Sequence, residues 1–386
     1  MKTTTETPQK EPKQEGTTAA PPSRMGGAAW VFAFRVIGAL AIPVVGFFVL
    51  WATFDYLKSE DANRGLVVIV AIVVGVGGIF ALFWAMDRVV SLLPERYAEG
   101  VRPYVYVGPA LVVLAVFLIY PVINTVVISF EDATSAQFVG LSNYKFVFTD
   151  PNMLRSLRNT LGWIVLVPLA AVTIGLVFAT LADRLRRGEA VAKSMIFLPM
   201  AISFAGASVV WKLVYSFRPE GFGSNIGLLN GAVTALGKNP IDWIGLHPWN
   251  NLLLMVIMVW MQTGFSMVVL SAAIKSIPDE LLEAARIDGA SELQVFRKIV
   301  IPSILPTIAV VTTYMVIVSL KVFDIPFVFG NTEANGTVVI AERMLYWFFT
   351  AGNNGRGAAI AVVLFVAVIP VMIWNIRQFR EQEATR

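Results

Sequence analysis

The chain has 386 residues, of which 56% are hydrophobic and only 15% charged, with a formal net charge of +4. Soluble chains carry about 25% charged residues, and a mean hydropathy of +0.70 leaves too little polar surface for a water-facing fold. Soluble globular domains, disordered chains and nucleic-acid modules are therefore excluded as whole-chain readings. The absence of Cys removes disulfide frameworks, thiolate nucleophiles and Cys-ligated metals.

Residues 1–29 are rich in Thr, Lys, Glu, Pro and Gln and almost free of large apolar side chains, so they read as a disordered tail. Beyond them lie eight apolar stretches of about the 20 residues needed to cross a bilayer. They are Val31–Thr53, Leu66–Met86, Tyr104–Phe130, Leu157–Leu181, Ala192–Phe217, Asn251–Ala273, Ser303–Val322 and Ala358–Ile376. The runs are continuous rather than alternating, and lipid leaves no partner for free backbone groups, which selects helices. The expectation is an all-α integral membrane protein with about eight transmembrane helices. Lys and Arg concentrate in alternate loops, above all in Arg184-Leu185-Arg186-Arg187, and this bias puts both termini on the cytoplasmic side.

The loop between the sixth and seventh stretches, residues 276–302, carries its own fold instructions. Pro278 suits a helix start, and Asp279, Glu280 and Glu283 complement the positive end of that helix. Gly289 stops it, and Ser291 with Gln294 forms a capping box that starts a second helix. Pro302 marks the entry to the seventh stretch. A helix–turn–helix outside the bilayer would offer Leu282, Ala285, Ile287, Leu293 and Phe296 either to the membrane surface or to a groove on a partner protein.

Glu283-Ala284-Ala285, Gly289, Ile299 and Pro302 resemble the EAA motif of ABC importer permeases, E-A-A-x3-G-x9-I-x-L-P, with Ile301 in place of the usual Leu. Asp288, Ala290 and Phe296 add the form seen in the carbohydrate-uptake branch. Phe138-Val-Gly-Leu-Ser-Asn-Tyr144, Asp150-Pro151 and Asn159-Thr160 are similar to the outer loop of maltose-type sugar permeases, and the likeness runs from about Tyr104 to Ile376. The resemblance implies a six-helix permease core in residues 101–386, preceded by two additional helices in residues 30–100, as in the larger, maltose-permease-like subunit. It implies a smaller permease as heterodimer partner, two ATP-binding subunits beneath the hairpin and an extracytoplasmic sugar-binding protein. Glu283 and Asp288 would then meet basic residues of the ATPase. The solute implied is an oligosaccharide of α-glucoside type, such as maltose or trehalose.

No G-x-x-x-x-G-K-[ST] loop occurs, since Gly237-Lys238 is followed by Asn239, so ATP and Mg are expected on the partner subunits and no cofactor on this chain. The single His, His247, supports neither a metal cluster nor a Ser/His pair, and reads as an interfacial structural residue. For the solute path, polar residues within spans face the bundle interior. Gln262, Phe265 and Ser266 offer an amide, a ring and a hydroxyl suited to a sugar, and the resemblance puts Gln262 and Phe265 at the family's contact positions. Lys321 and Asp324, three apart, read either as an ion pair closing the seventh span or as a polar wall of the cavity with Ser319 one turn deeper. The rival to an ATP-driven importer is a secondary transporter driven by an ion gradient. Such folds show inverted repeats, and no convincing repeat is present. A membrane scaffold or sensor is the third reading.

Overall fold

A computed structural model describes residues 25–59, 63–92, 95–185, 187–219, 223 and 226–384. The expected tail lies outside these as far as residue 24, as does Arg186 of the basic loop. The chain divides into two compact units, Met1–Tyr120 and Pro121–Arg386.

The first unit holds α1 (Met25–Lys58), packed along α2 (Arg64–Leu92), and α3 (Glu95–Leu114), which continues through a π-helical turn at Ala115–Ile119. The first expected stretch lies within α1. Leu66–Met86 lies within α2, whose apolar window is wholly exposed, as a lipid-facing helix must be.

The second unit follows in chain order with α4 (Tyr120–Ile128), α5 (Ser142–Thr149), α6 (Pro151–Asp183), α7 (Glu189–Phe197), α8 (Phe204–Val214), α9 (Leu228–Ala235) and α10 (Asn250–Lys275). Then come α11 (Asp279–Ile287), α12 (Glu292–Val295), α13 (Ile301–Leu320), α14 (Asp324–Phe329), α15 (Ile340–Leu345) and α16 (Asn354–Ala384). Among the described residues the only β pairing is an isolated bridge between Glu131 and Phe138. Among the described residues, six helical segments are long and apolar enough to cross a membrane, and a seventh arises if one bent pair counts as a single crossing.

That bent pair corrects the fifth expected stretch. Residues 192–217 do not form one straight span: the chain breaks between Ala201 and Phe204 and turns by 100°. The cause is local. Pro199 begins a short 3-10 turn, Ile202 and Ser203 are extended, and the Ser203 hydroxyl accepts the Gly206 N–H to start α8 afresh.

Three helices, α6, α10 and α13, pack on one another, with α16 beside α13. Asp150 caps α6 by accepting the Asn152 and Met153 N–H groups, and Pro151 occupies its first position. Small residues spaced by four, Ala171, Gly175 and Ala179, let α10 lie close against α6. One apolar core surrounds Trp163, Leu254, Ile257, Met258 and Ile325. A second surrounds Met267, Leu270, Val295, Val300 and Met315 at the opposite end of the same helices.

Candidate functional site

The expected helix–turn–helix forms at the C-terminal ends of α6 and α10. α11 ends as the Gly289 N–H reaches the Arg286 carbonyl at 3.1 Å and the Ala290 N–H reaches that of Ala285 at 3.0 Å. This paired closure needs a left-handed residue, and Gly289 supplies it with φ of +84°. Ser291 and Gln294 close the capping box: the Ser291 N–H donates to Gln294 Oε1 at 2.7 Å, and the Gln294 N–H to Ser291 Oγ at 3.4 Å. Arg286 Nε donates to Glu292 Oε1 at 2.8 Å across the turn, and Arg184 approaches Glu292 at 3.7 Å.

The hairpin does not turn all its apolar residues outward. Leu282, Ala285 and Phe296 are half-buried and pack, with Ala290 and Ile299, against the core around Ile277, Val295 and Val300. An amphipathic helix so close to α10 and α13 buries its stripe against its own chain. The outward face includes Glu283, Ala284, Ile287, Asp288 and Leu293, with Ile287 85% exposed. Pro302 follows a π-helical turn at Phe296–Val300 and lies at the start of α13. Beneath the hairpin, Lys193 Nζ donates to Asp183 Oδ1 at 2.5 Å and to Glu189 Oε1 at 2.6 Å, and also bonds Ser271; Lys275 pairs with Glu189. This cluster ties together the ends of α6, α7 and α10.

At the break between α7 and α8 lies a cleft of 360 Å³ lined by Met200, Ile202, Ser203, Phe204, Ala205, Met261, Gln262, Tyr314 and Asp324. Gln262 and Asp324, far apart in sequence, thus share one wall. Gln262 is 3% exposed and its Oε1 has no hydrogen-bond partner within the chain. Phe265 reaches the same place indirectly, with its ring 4.7 Å from that of Tyr314.

The other path candidates lie elsewhere. Ser266 is fully buried where α10 crosses α6, against Gly175, on which a Cβ would meet Ser266 Cβ at 2.5 Å. Ser319 is also fully buried, and Lys321 is exposed. Of the two readings of Lys321 and Asp324, the ion pair is absent among the described residues, because α13 stops at Leu320 and Phe323 departs from helical geometry before α14 begins. The two residues are therefore not one turn apart on a common helix. Tyr314, Ser203 and the rest of the break went unread in the sequence. Pro199 and the N-cap Ser203, both inside an apolar run, were the signals that would have found them.

The end of α6 remote from the hairpin explains the Asn-rich motif. Asn143 Nδ2 donates to the Ser129 and Glu131 carbonyls at 3.0 and 2.7 Å. Asn159 Nδ2 donates to the Gly336 and Val338 carbonyls at 2.7 and 2.8 Å, and Thr160 Oγ1 accepts the Ile340 N–H. Asn250 reaches the Asn335 carbonyl at 2.6 Å. Asn159, Thr160 and Asn250 fasten the loop between α14 and α15, on which Gly336 sits against the His247 ring. Burial pushes the Glu342 carboxyl above its usual range, against the opposing effect of a 2.5 Å hydrogen bond from Thr332.

Comparison with known proteins follows this geometry. A family model described as "Binding-protein-dependent transport system inner membrane component" matches residues 171–377. The osmoprotective compounds uptake permease protein GgtC of Synechocystis sp. is 54% identical over 73% of this chain and 100% of its own length. The alpha-glucoside transport system permease protein AglF of Rhizobium meliloti is 45% identical over 80% of this chain and 95% of its own. Among solved structures, a bacterial alginate ABC transporter in complex with alginate pentasaccharide-bound periplasmic protein aligns with a TM-score of 0.63. It covers 74% of this chain and 98% of the matched one at 20% identity, a likeness of fold.

Proposed function

The chain belongs to the family of binding-protein-dependent transport system inner membrane components, and from that membership we propose that it is the larger permease subunit of an ATP-driven importer for a neutral α-glucosidic solute. The observation that carries the proposal is the hairpin, which is closed at its turn by Gly289 and a capping box, buried along one side, and has Glu283, Asp288, Ile287 and Leu293 among the residues facing outward. Such a face suits a groove on an ATPase: Glu283 and Asp288 pair with basic residues there, Ile287 and Leu293 fill it, and Gly289 holds the turn. Two ATPase subunits carry ATP and Mg. A smaller permease completes the pore and a sugar-binding protein delivers solute from the far side. The hairpin and both chain termini are cytoplasmic, in keeping with the basic loop at Arg184 and Arg187.

The names of the relatives support the solute class, and the cleft is compatible with it. Gln262, Tyr314 and Asp324 offer an amide, a hydroxyl and a carboxylate to hydroxyl groups, while Phe265 backs the Tyr314 ring. Residues 101–386 form the permease proper, and the helices within residues 30–100 are an addition to it.

Copurification tests the proposal. C-terminally tagged wild type in mild detergent is expected to bring down an ATPase and a second permease, and Gly289→Pro or Glu283→Lys to lose the ATPase alone. A chain that purifies alone and moves solute in ATP-free vesicles under an ion gradient would overturn the reading.

A further inference from the structure

Asp324 stands in the cleft without a counter-ion. Among the described residues it joins no ion pair. The cations nearest to it in sequence or on the helix packed against α14 are turned elsewhere: Lys321 is exposed, and Lys212 lies 5.9 Å over the Phe329 ring. Every other side chain lining the cleft is neutral. The one opposing charge is the N-terminal end of α8, whose Ser203, Phe204 and Ala205 border the same space. A helix end carries about half a positive charge, which a full carboxylate outweighs. The adjoining Gln262 is neutral, its Oε1 shut off from solvent, and adds no cation.

We infer that Asp324 is a specificity-determining residue: it lets neutral polyhydroxylated solutes through this cleft and turns away carboxylated or phosphorylated ones. A hydroxyl can donate to the carboxylate, whereas an anion meets a net negative wall. A unit charge about 6 Å away at an effective dielectric of about 20 is worth roughly a hundredfold in binding, and the helix end offsets about half of that free energy. A tenfold discrimination remains. The inference rests on the permease reading, since it assigns the charge rule to the solute path proposed there.

The test uses the complete complex with its ATPases and smaller permease in nanodiscs, without binding protein, so that selection upstream is bypassed. Equilibrium dialysis measures the Kd of maltose and of its monocarboxylate analogue, in which one primary alcohol is oxidised to the acid. Wild type is expected to prefer maltose by about tenfold. Asp324→Asn should narrow that ratio by tenfold or more, and Asp324→Glu should preserve it. Ala205→Lys, which leaves Asp324 in place and puts a cation in the same cleft, should narrow it too, and carries the test if Asp324→Asn fails to assemble. Maltose binding with a ratio unmoved by Asp324→Asn, or by Ala205→Lys where that variant carries the test, would overturn the inference and spare the permease reading. Binding of neither sugar by wild type would overturn the proposed solute class, and the inference with it.

Discussion

The hairpin turn beside one end of α6 and the loop fastened at its other end are closed by different kinds of bond. At the hairpin end, the turn between α11 and α12 is closed by hydrogen bonds between residues no more than six apart: Ala290 to Ala285, Ser291 to Gln294, Arg286 to Glu292. At the other end, Asn159 and Asn250 reach carbonyls 85 to 179 residues away. A locally closed unit keeps its shape wherever it is carried. A unit closed through distant side chains holds only while the helices that carry those side chains keep their places. The hairpin is thus built to move as a body, and the loop between α14 and α15 reports on the packing of α6 against α10.

The largest effect that separates the two regions is expected from Asn159→Ala. It strips two carbonyls of their donor in a buried setting, at about 2–3 kcal/mol, and chemical denaturation in detergent should show that loss together with increased proteolysis of the 331–339 loop. A hairpin disturbed to the same extent would contradict the separation. Gly289→Ala comes next. Forcing a Cβ residue to a φ of +84° costs roughly 1 kcal/mol, and because the strain is local, bundle stability should barely move while solute-stimulated ATP hydrolysis falls. Smallest is Glu292→Gln, which breaks the exposed contacts to Arg286 and Arg184. Exposed pairs contribute little, so the unfolding midpoint should barely move and any shift should shrink in high salt.

The same contrast explains what the sequence disclosed. The hairpin was legible down to its caps because Pro278, Gly289, Ser291 and Gln294 act on their immediate neighbours. Its facing was half-legible: periodicity marked Leu282, Ala285 and Phe296 as one apolar stripe, but whether a stripe meets a partner or its own bundle depends on where α10 and α13 pass. Hydropathy marked eight stretches, whereas six helices among the described residues, or seven with the bent pair, are long and apolar enough to cross a membrane. It did not mark the break at Ala201–Phe204, because residues on both sides stay apolar and the window averages over Pro199 and Ser203. Lys321 and Asp324 illustrate the reverse fault, since a three-residue spacing implies pairing only if the helix continues, and it ends at Leu320. Gln262 and Asp324 could not be joined from sequence at all. Their meeting depends on the break in helical geometry at Phe323 and on the bend beside α8.

One consequence of the π-helical turn at Phe296–Val300 concerns mechanics. The turn leaves helical geometry intact from Val295 through Ile301, so α12 and α13 act as a single shaft. Leu293 at its outer tip and Tyr314 at the cleft are separated by about 32 Å at the usual helical rise of about 1.5 Å per residue. Torque applied at the tip passes toward Tyr314 along one helical path, through Pro302 and Pro306, with α11 clasped to its tip by the Gly289 turn and the Arg286–Glu292 contact.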